Sequence, residues 1–196
     1  MQNGGMGNFE AAVAYFHQGL DAARHVHVPW ESASLWNGLG EVARSQGRIE
    51  EALAHYANAL ELSEELGNRW MIAHILDNIG HAAYSQGRYD VARDHFRGSL
   101  EASVALGDER GIAMCLEKLG GIAITQKQLE FAATLLGAAE ALRDARNTPV
   151  EGMDAADYRR FAEQLQQQLA ADVLQAAWDE GRNQPLSTLL ARILDP

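Results

Sequence analysis

One turn is written three times at a fixed interval. Residues 43–56 read ARSQGRIEEALAHY, residues 83–96 read AYSQGRYDVARDHF, and residues 123–136 read AITQKQLEFAATLL, so the copies begin at 43, 83 and 123. A period of 40 residues constrains the fold more than any other feature. A unit of that size cannot bury its own apolar face, so neighbouring units have to stack into a solenoid. One unit runs over 47–86 and the next over 87–126. A partial unit precedes them from Gly7, and a weaker one follows from Lys127.

Within a unit the apolar period is helical. Trp36, Leu39 and Ala43, then Ala52, Tyr56 and Ala59, recur at steps of three and four, as one helix face requires. Gly47 and Gly87 stand where the first helix of a pair has to end in the left-handed conformation. Gly67 and Gly107 end the second helix, and Asn68 and Asp108 are placed to cap the next. Pro29 suits a first helical position. Helices are expected over 8–26, 29–46, 48–66, 69–86, 88–106, 109–126 and 128–145. After the break RNTPVEGMD, three more are expected near 154–169, 171–182 and 186–194, with Asp154 as an N-cap and Pro185 opening the last. The reading is therefore a flexible leader over 1–7, a solenoid over 8–146 and capping helices over 147–196. Ala, Leu, Glu, Gln and Arg dominate the composition and favour helix.

The repeated residues resemble the tetratricopeptide repeat, whose pattern is W-x2-L-G-x2-Y followed by A-x3-F and A. Trp36, Leu39, Gly40 and Ala43 with Ala52, Tyr56 and Ala59 make the first match. Leu76, Ile79, Gly80 and Ala83 with Ala92, Phe96 and Ser99 make the second. Leu116, Leu119, Gly120 and Ala123 with Ala132, Leu136 and Ala139 make the third. Ala12, Phe16 and Gly19 supply half of a leading unit, so the resemblance covers roughly 8–145. The period exceeds the usual ~34 by about six residues, which lengthens the helices. HEAT repeats have a similar period but lack the small residues at these places. The resemblance implies an all-α, right-handed superhelix of helix pairs with a C-terminal helical cap. The tail, from LEKLGGIAITQKQLEFAATLL to AAWDEGR, is similar to the closing segment of large bacterial regulators. Those join a signal-transduction ATPase to such repeats, often with a LuxR-type DNA-binding domain.

Charge and composition narrow the function. The net charge of −11, with no Lys/Arg run, disfavours direct nucleic-acid binding. Cys115 is the one cysteine, so a disulfide within the chain and a cysteine metal site are excluded. No apolar run reaches the ~20 residues of a membrane span, and MQNGGMGN lacks the features of a signal peptide. A cytoplasmic setting fits. No phosphate loop occurs. Cys115 reads as a small core hydrophobe, Ser45 and Ser85 as architectural, and the pairs Glu50–Glu51 and Glu64–Glu65 as solvated. His74 and His81 lie seven residues apart, ~10 Å along a helix, too far for one ion. His25 and His27 belong to a turn. No enzyme activity, metal or cofactor is expected.

A groove remains. In the resembled family the first helix of each pair lines the concave surface. Carried over, this gives Asn37, Glu41 and Arg44, then His74, Asp77, Asn78, His81 and Tyr84, then Met114, Glu117, Lys118 and Gly121. Glu41, Asp77 and Glu117 would attract Lys or Arg of a protein or peptide ligand. The lysines of the family's carboxylate clamp are missing. The expected function is a non-catalytic protein- or peptide-binding scaffold or sensor, part of a bacterial signalling or transcriptional regulator. Two alternatives stand beside it. One is a free-standing peptide-responsive switch. The other is a homodimerisation module pairing through residues 8–28, whose helix has an apolar flank and no first-type partner before it. A cut from a longer array is the favoured explanation of that flank.

Overall fold

The computed structural model describes residues 6–26, 29–146 and 152–194. Among them are ten helices and no strand: α1 Met6–Val26, α2 Pro29–Ser45, α3 Ile49–Glu65, α4 Arg69–Ser85, α5 Tyr89–Leu106, α6 Glu109–Thr125, α7 Leu129–Arg146, α8 Gly152–Gln168, α9 Ala171–Asn183 and α10 Leu186–Leu194. The all-α repeat fold is the one expected, and every bound falls within two residues of its expected place. Residues 1–5 of the expected leader lie outside the described residues, as does His27, and Met6 and Gly7 belong to α1 and not to a leader.

The turns explain this agreement. After α2, Arg48 N–H donates to the Ala43 carbonyl at 2.9 Å and Gly47 N–H to that of Arg44 at 2.9 Å. This pair of bonds satisfies carbonyls that the helix end leaves open and requires a left-handed residue. The same pair recurs at 63–68, 83–88, 103–108 and 123–128. Gly47, Gly67, Gly87 and Gly107 take φ of 76°, 62°, 73° and 65°. Beyond the second-type helices, Met71 N–H donates to Asn68 Oδ1 and Gly111 N–H to Asp108 Oδ1, each at 3.1 Å. The hydroxyls of Ser45, Ser85 and Thr125 donate to the carbonyls three residues earlier. Those repeated hydroxyls are architectural.

The third turn keeps its shape without glycine. Lys127 adopts φ 61°, a conformation costing a non-glycine residue about 1–2 kcal/mol. Lys127→Gly should therefore stabilise the chain by about 1 kcal/mol, after the greater unfolded-state freedom of glycine is subtracted. The exposed bond from Lys127 Nζ to Gln168 Oε1, at 2.9 Å, offsets little of that. A rise in the urea midpoint at unchanged slope is the expected result.

The chain forms two compact units, residues 1–95 and 96–196, with the boundary inside α5. In the first unit α1 packs on α2, α2 on α3 and α3 on α4, and α2 also touches α4. Its core is Ala43, Ala52, Tyr56, Ala59, Met71, Ile75 and Ile79, flanked by Trp36, Leu53 and Leu60. The small residue at position 40 has a direct use: a methyl group on Gly40 would overlap the Tyr56 ring. Tyr56 is wholly buried as a result.

In the second unit α6 and α7 form a hairpin, and α9 packs on α7. A methyl on Gly137 would overlap the Trp178 backbone, and one on Gly181 the Thr134 carbonyl oxygen. The two backbones thus meet almost directly. Helix α8 lies on both α6 and α7. Phe161, Leu165, Ala177, Leu189 and Ile193 of the last three helices are buried. Arg97 donates from Nη2 to the Leu194 carbonyl at 2.7 Å, tying the end of α10 to α5. A further expectation needs correcting: helix α8 begins at Gly152, so Asp154 lies inside its first turn and is not the N-cap. Pro185 opens α10 as expected, standing directly before Leu186, and its carbonyl accepts from Thr188 N–H at 3.0 Å and from Leu189 N–H at 3.4 Å.

Candidate functional site

Helix phase and repeat register together define a surface in the first unit. On α2, Trp30, Ser34, Asn37, Glu41 and Arg44 follow one another at steps of four and three. On α4, Trp70, His74, Asp77, His81 and Tyr84 do so 40 positions later. Those steps hold each set on one face. Contacts agree with the phase. Asn37 Nδ2 donates to Glu41 Oε1 at 3.1 Å, the Trp70 and His74 rings lie 4.4 Å apart, and His81 Nε2 stands 3.8 Å from Asp77 Oδ2.

The two stripes are joined by an amide that points sideways. Asn78 Nδ2 donates to Asn37 Oδ1 at 3.0 Å and to Glu41 Oε1 at 3.2 Å. Asn78 is only 9% exposed. Its part is to hold α4 to α2, so it is not an open ligand contact as expected. At the far end, Tyr56 Oη and Arg44 Nε are buried with no hydrogen-bond partner of good geometry. Burial pushes the Tyr56 hydroxyl above its ordinary ionisation range, and the neighbouring Arg44 guanidinium opposes that rise. What remains open to solvent is an exposed Glu41 and His74, with Arg44, Asp77, His81 and Tyr84 half-buried.

The third register position, in the second unit, is different. Met114 and Lys118 are half-buried, and Lys118 Nζ sits 5.9 Å from the centre of the Phe96 ring. Glu117 is 5% exposed. Arg143 Nε donates to its Oε1 at 2.6 Å and Arg143 Nη2 to its Oε2 at 2.8 Å. Gly121 is covered by the Phe161 ring of α8. Glu117 and Gly121 are therefore structural, and the expectation that they face a ligand is corrected. The physical reason is that Arg143 of α7 holds Glu117 in a buried ion pair and the Phe161 ring of α8 lies over Gly121.

The remaining candidates behave as ordinary structure. Cys115 is buried, with its Sγ 3.4 Å from Ser99 Oγ. Glu50, Glu51, Glu64 and Glu65 are exposed. His25 lies inside α1, so the expectation that it belongs to a turn is corrected. Among the described residues no group of three His, Cys, Asp or Glu is placed to hold a metal ion, and no helix is long and apolar enough to cross a membrane.

Sequence reasoning missed Trp30 and Trp70, which head the two stripes and are 57% and 53% exposed. The signal was present: two tryptophans stand 40 residues apart at a place the repeat pattern does not reserve for one. The tryptophan that it does reserve, Trp36, is half-buried and stacked on His55 at 5.3 Å.

A family model described as Tetratricopeptide repeat matches residues 31–102 and 71–145. The crystal structure of BtubC (BKLC) from P. vanneervenii is similar with a TM-score of 0.70, at 22% identity over 95% of this chain and 73% of that one. At that identity the likeness speaks for the fold alone. Comparison of the sequence with curated proteins finds no match.

Proposed function

The chain belongs to the tetratricopeptide repeat family, whose repeats generally mediate protein–protein interaction, and from that premise we propose that it is a non-catalytic scaffold or sensor module binding a protein or peptide segment. The observation that carries the reading is the open pair of stripes on α2 and α4, where carboxylate, imidazole and guanidinium groups line up at repeat spacing. In this reading residues 8–146 are the binding region and 147–196 its cap. Selection of peptides from a display library on the whole chain tests the surface. Glu41→Lys with His74→Glu should abolish capture of most selected peptides. Unchanged capture rejects the surface.

The similarity of the closing segment to bacterial regulators supports a cytoplasmic setting within such a regulator. A parent protein carrying a phosphate-loop ATPase beside these repeats bears that out, and one carrying none overturns it. A second reading, self-association through residues 8–28, is favoured by Tyr15 on α1, which is 73% exposed. Light scattering of wild type and Tyr15→Glu decides it. A dimer mass that halves in the variant supports pairing, and a monomeric wild type rejects it.

A further inference from the structure

Two half-exposed indoles at one repeat position are the least ordinary feature of the surface. Trp30 and Trp70 occupy the second residue of α2 and of α4. Each leaves more than half of its residue surface in water. Neither belongs to the first unit's hydrophobic core. At the same register α6 carries Arg110 instead. The pair is therefore confined to the unit in which the stripe stays open.

The chemistry around the indoles selects a charge. An indole face attracts Lys and Arg more strongly than any other side-chain ring does. Glu31 stands beside Trp30 and is exposed, and Glu41 lies further along the same helix and is exposed. The whole chain carries −11. An anionic segment would meet repulsion on approach, and a cationic one attraction. We infer that the partner is an extended segment bearing Lys or Arg, whose cationic side chains stack on Trp30 and Trp70 while its chain passes the Glu41 carboxylate. This rests on the proposed binding function and adds the partner's chemistry to it.

The spacing of the two cations follows from helix packing. Helices in contact have axes about 8–10 Å apart, and α2 touches α4. A polyproline-II segment advances ~3.1 Å per residue and returns to the same face every third residue, ~9 Å on. The two cations thus stand three residues apart. Segments with Lys or Arg at i and i+3 fit, and those with the pair at i and i+2 fit less well.

A display selection on the whole chain, followed by titration of synthetic peptides, tests this. Enrichment of Lys or Arg three residues apart is expected. Trp30→Leu and Trp70→Leu, which keep an apolar side chain but remove the indole face, should each weaken binding about tenfold. Circular-dichroism melts serve as the folding control, because both positions are exposed. Raising salt should weaken binding further. If the selected peptides lack Lys and Arg, or bind the two leucine variants as tightly as wild type, the inference is overturned. If those peptides are still lost on Glu41→Lys with His74→Glu, the binding surface stands without it. Selection of no peptide that depends on the stripes overturns both.

Discussion

Replacing Gly181 by alanine should lower the stability of the second unit by about 3 kcal/mol, at the upper end of what overpacking costs. The obstacle is the Thr134 carbonyl oxygen of α7. A crowded side chain escapes by changing rotamer, but a backbone carbonyl moves only if the helix moves. Helix α9 would have to withdraw from α7, and the contact that holds Ala177 and Gly181 buried would open. Gly47→Ala makes the useful comparison. Nothing lies within 4 Å of a methyl at Gly47, so only its φ of 76° opposes the change, at about 1 kcal/mol. Urea unfolding of both variants checks the order. A Gly181 variant as stable as the Gly47 variant would show that α9 shifts freely on α7.

The second large effect is expected at Glu117 and Arg143. Their side chains are 6% and 9% exposed and joined by two short bonds. Glu117→Gln leaves a buried guanidinium beside a neutral amide and should cost about 3–5 kcal/mol. Arg143→Met removes both of these bonds from the buried carboxylate and should cost a similar amount. Changing both together, Glu117→Leu with Arg143→Met, should recover most of the loss. A buried pair gains little over well-packed apolar residues once both desolvation costs are removed. A double variant as unstable as the single ones would show that the pair supports the packing of α8, beyond its own charge balance.

These two effects lie where sequence reasoning stopped. The turns were legible because each is written in a few adjacent residues. Gly67 followed by Asn68 specifies a helix end and the next helix start without reference to anything distant. The stripes were legible in part. Asn37 and Glu41 do share a face of α2, and His74 and Asp77 one of α4, but phase alone does not separate a side chain facing out from one that, like Asn78, bonds to the neighbouring helix. The burial of Glu117 is not legible because its partner Arg143 lies 26 residues away, and that of Gly121 is not because Phe161, which covers it, follows a break in the repeat. Trp30 and Trp70 stand outside the positions that the family pattern reserves, so the pattern gives them no role.

The sequence by itself determined the ten helices of the described residues to within two residues at each end, and the repeat family. Periodicity and end signals act over a few residues, and the 40-residue period makes every copy testify to the others. Tertiary structure alone decided which of the repeated positions remain open. At the register of Glu41 and Gly121, α2 leaves Glu41 exposed while Phe161 of α8 covers Gly121, and at the register of Asn37, Asp77 and Glu117 the first two are half-buried while Glu117 is buried against Arg143 of α7. A residue's helix phase is fixed by its number in the chain. Its exposure depends on what packs against that face, and the repeat ends where the packing partner changes.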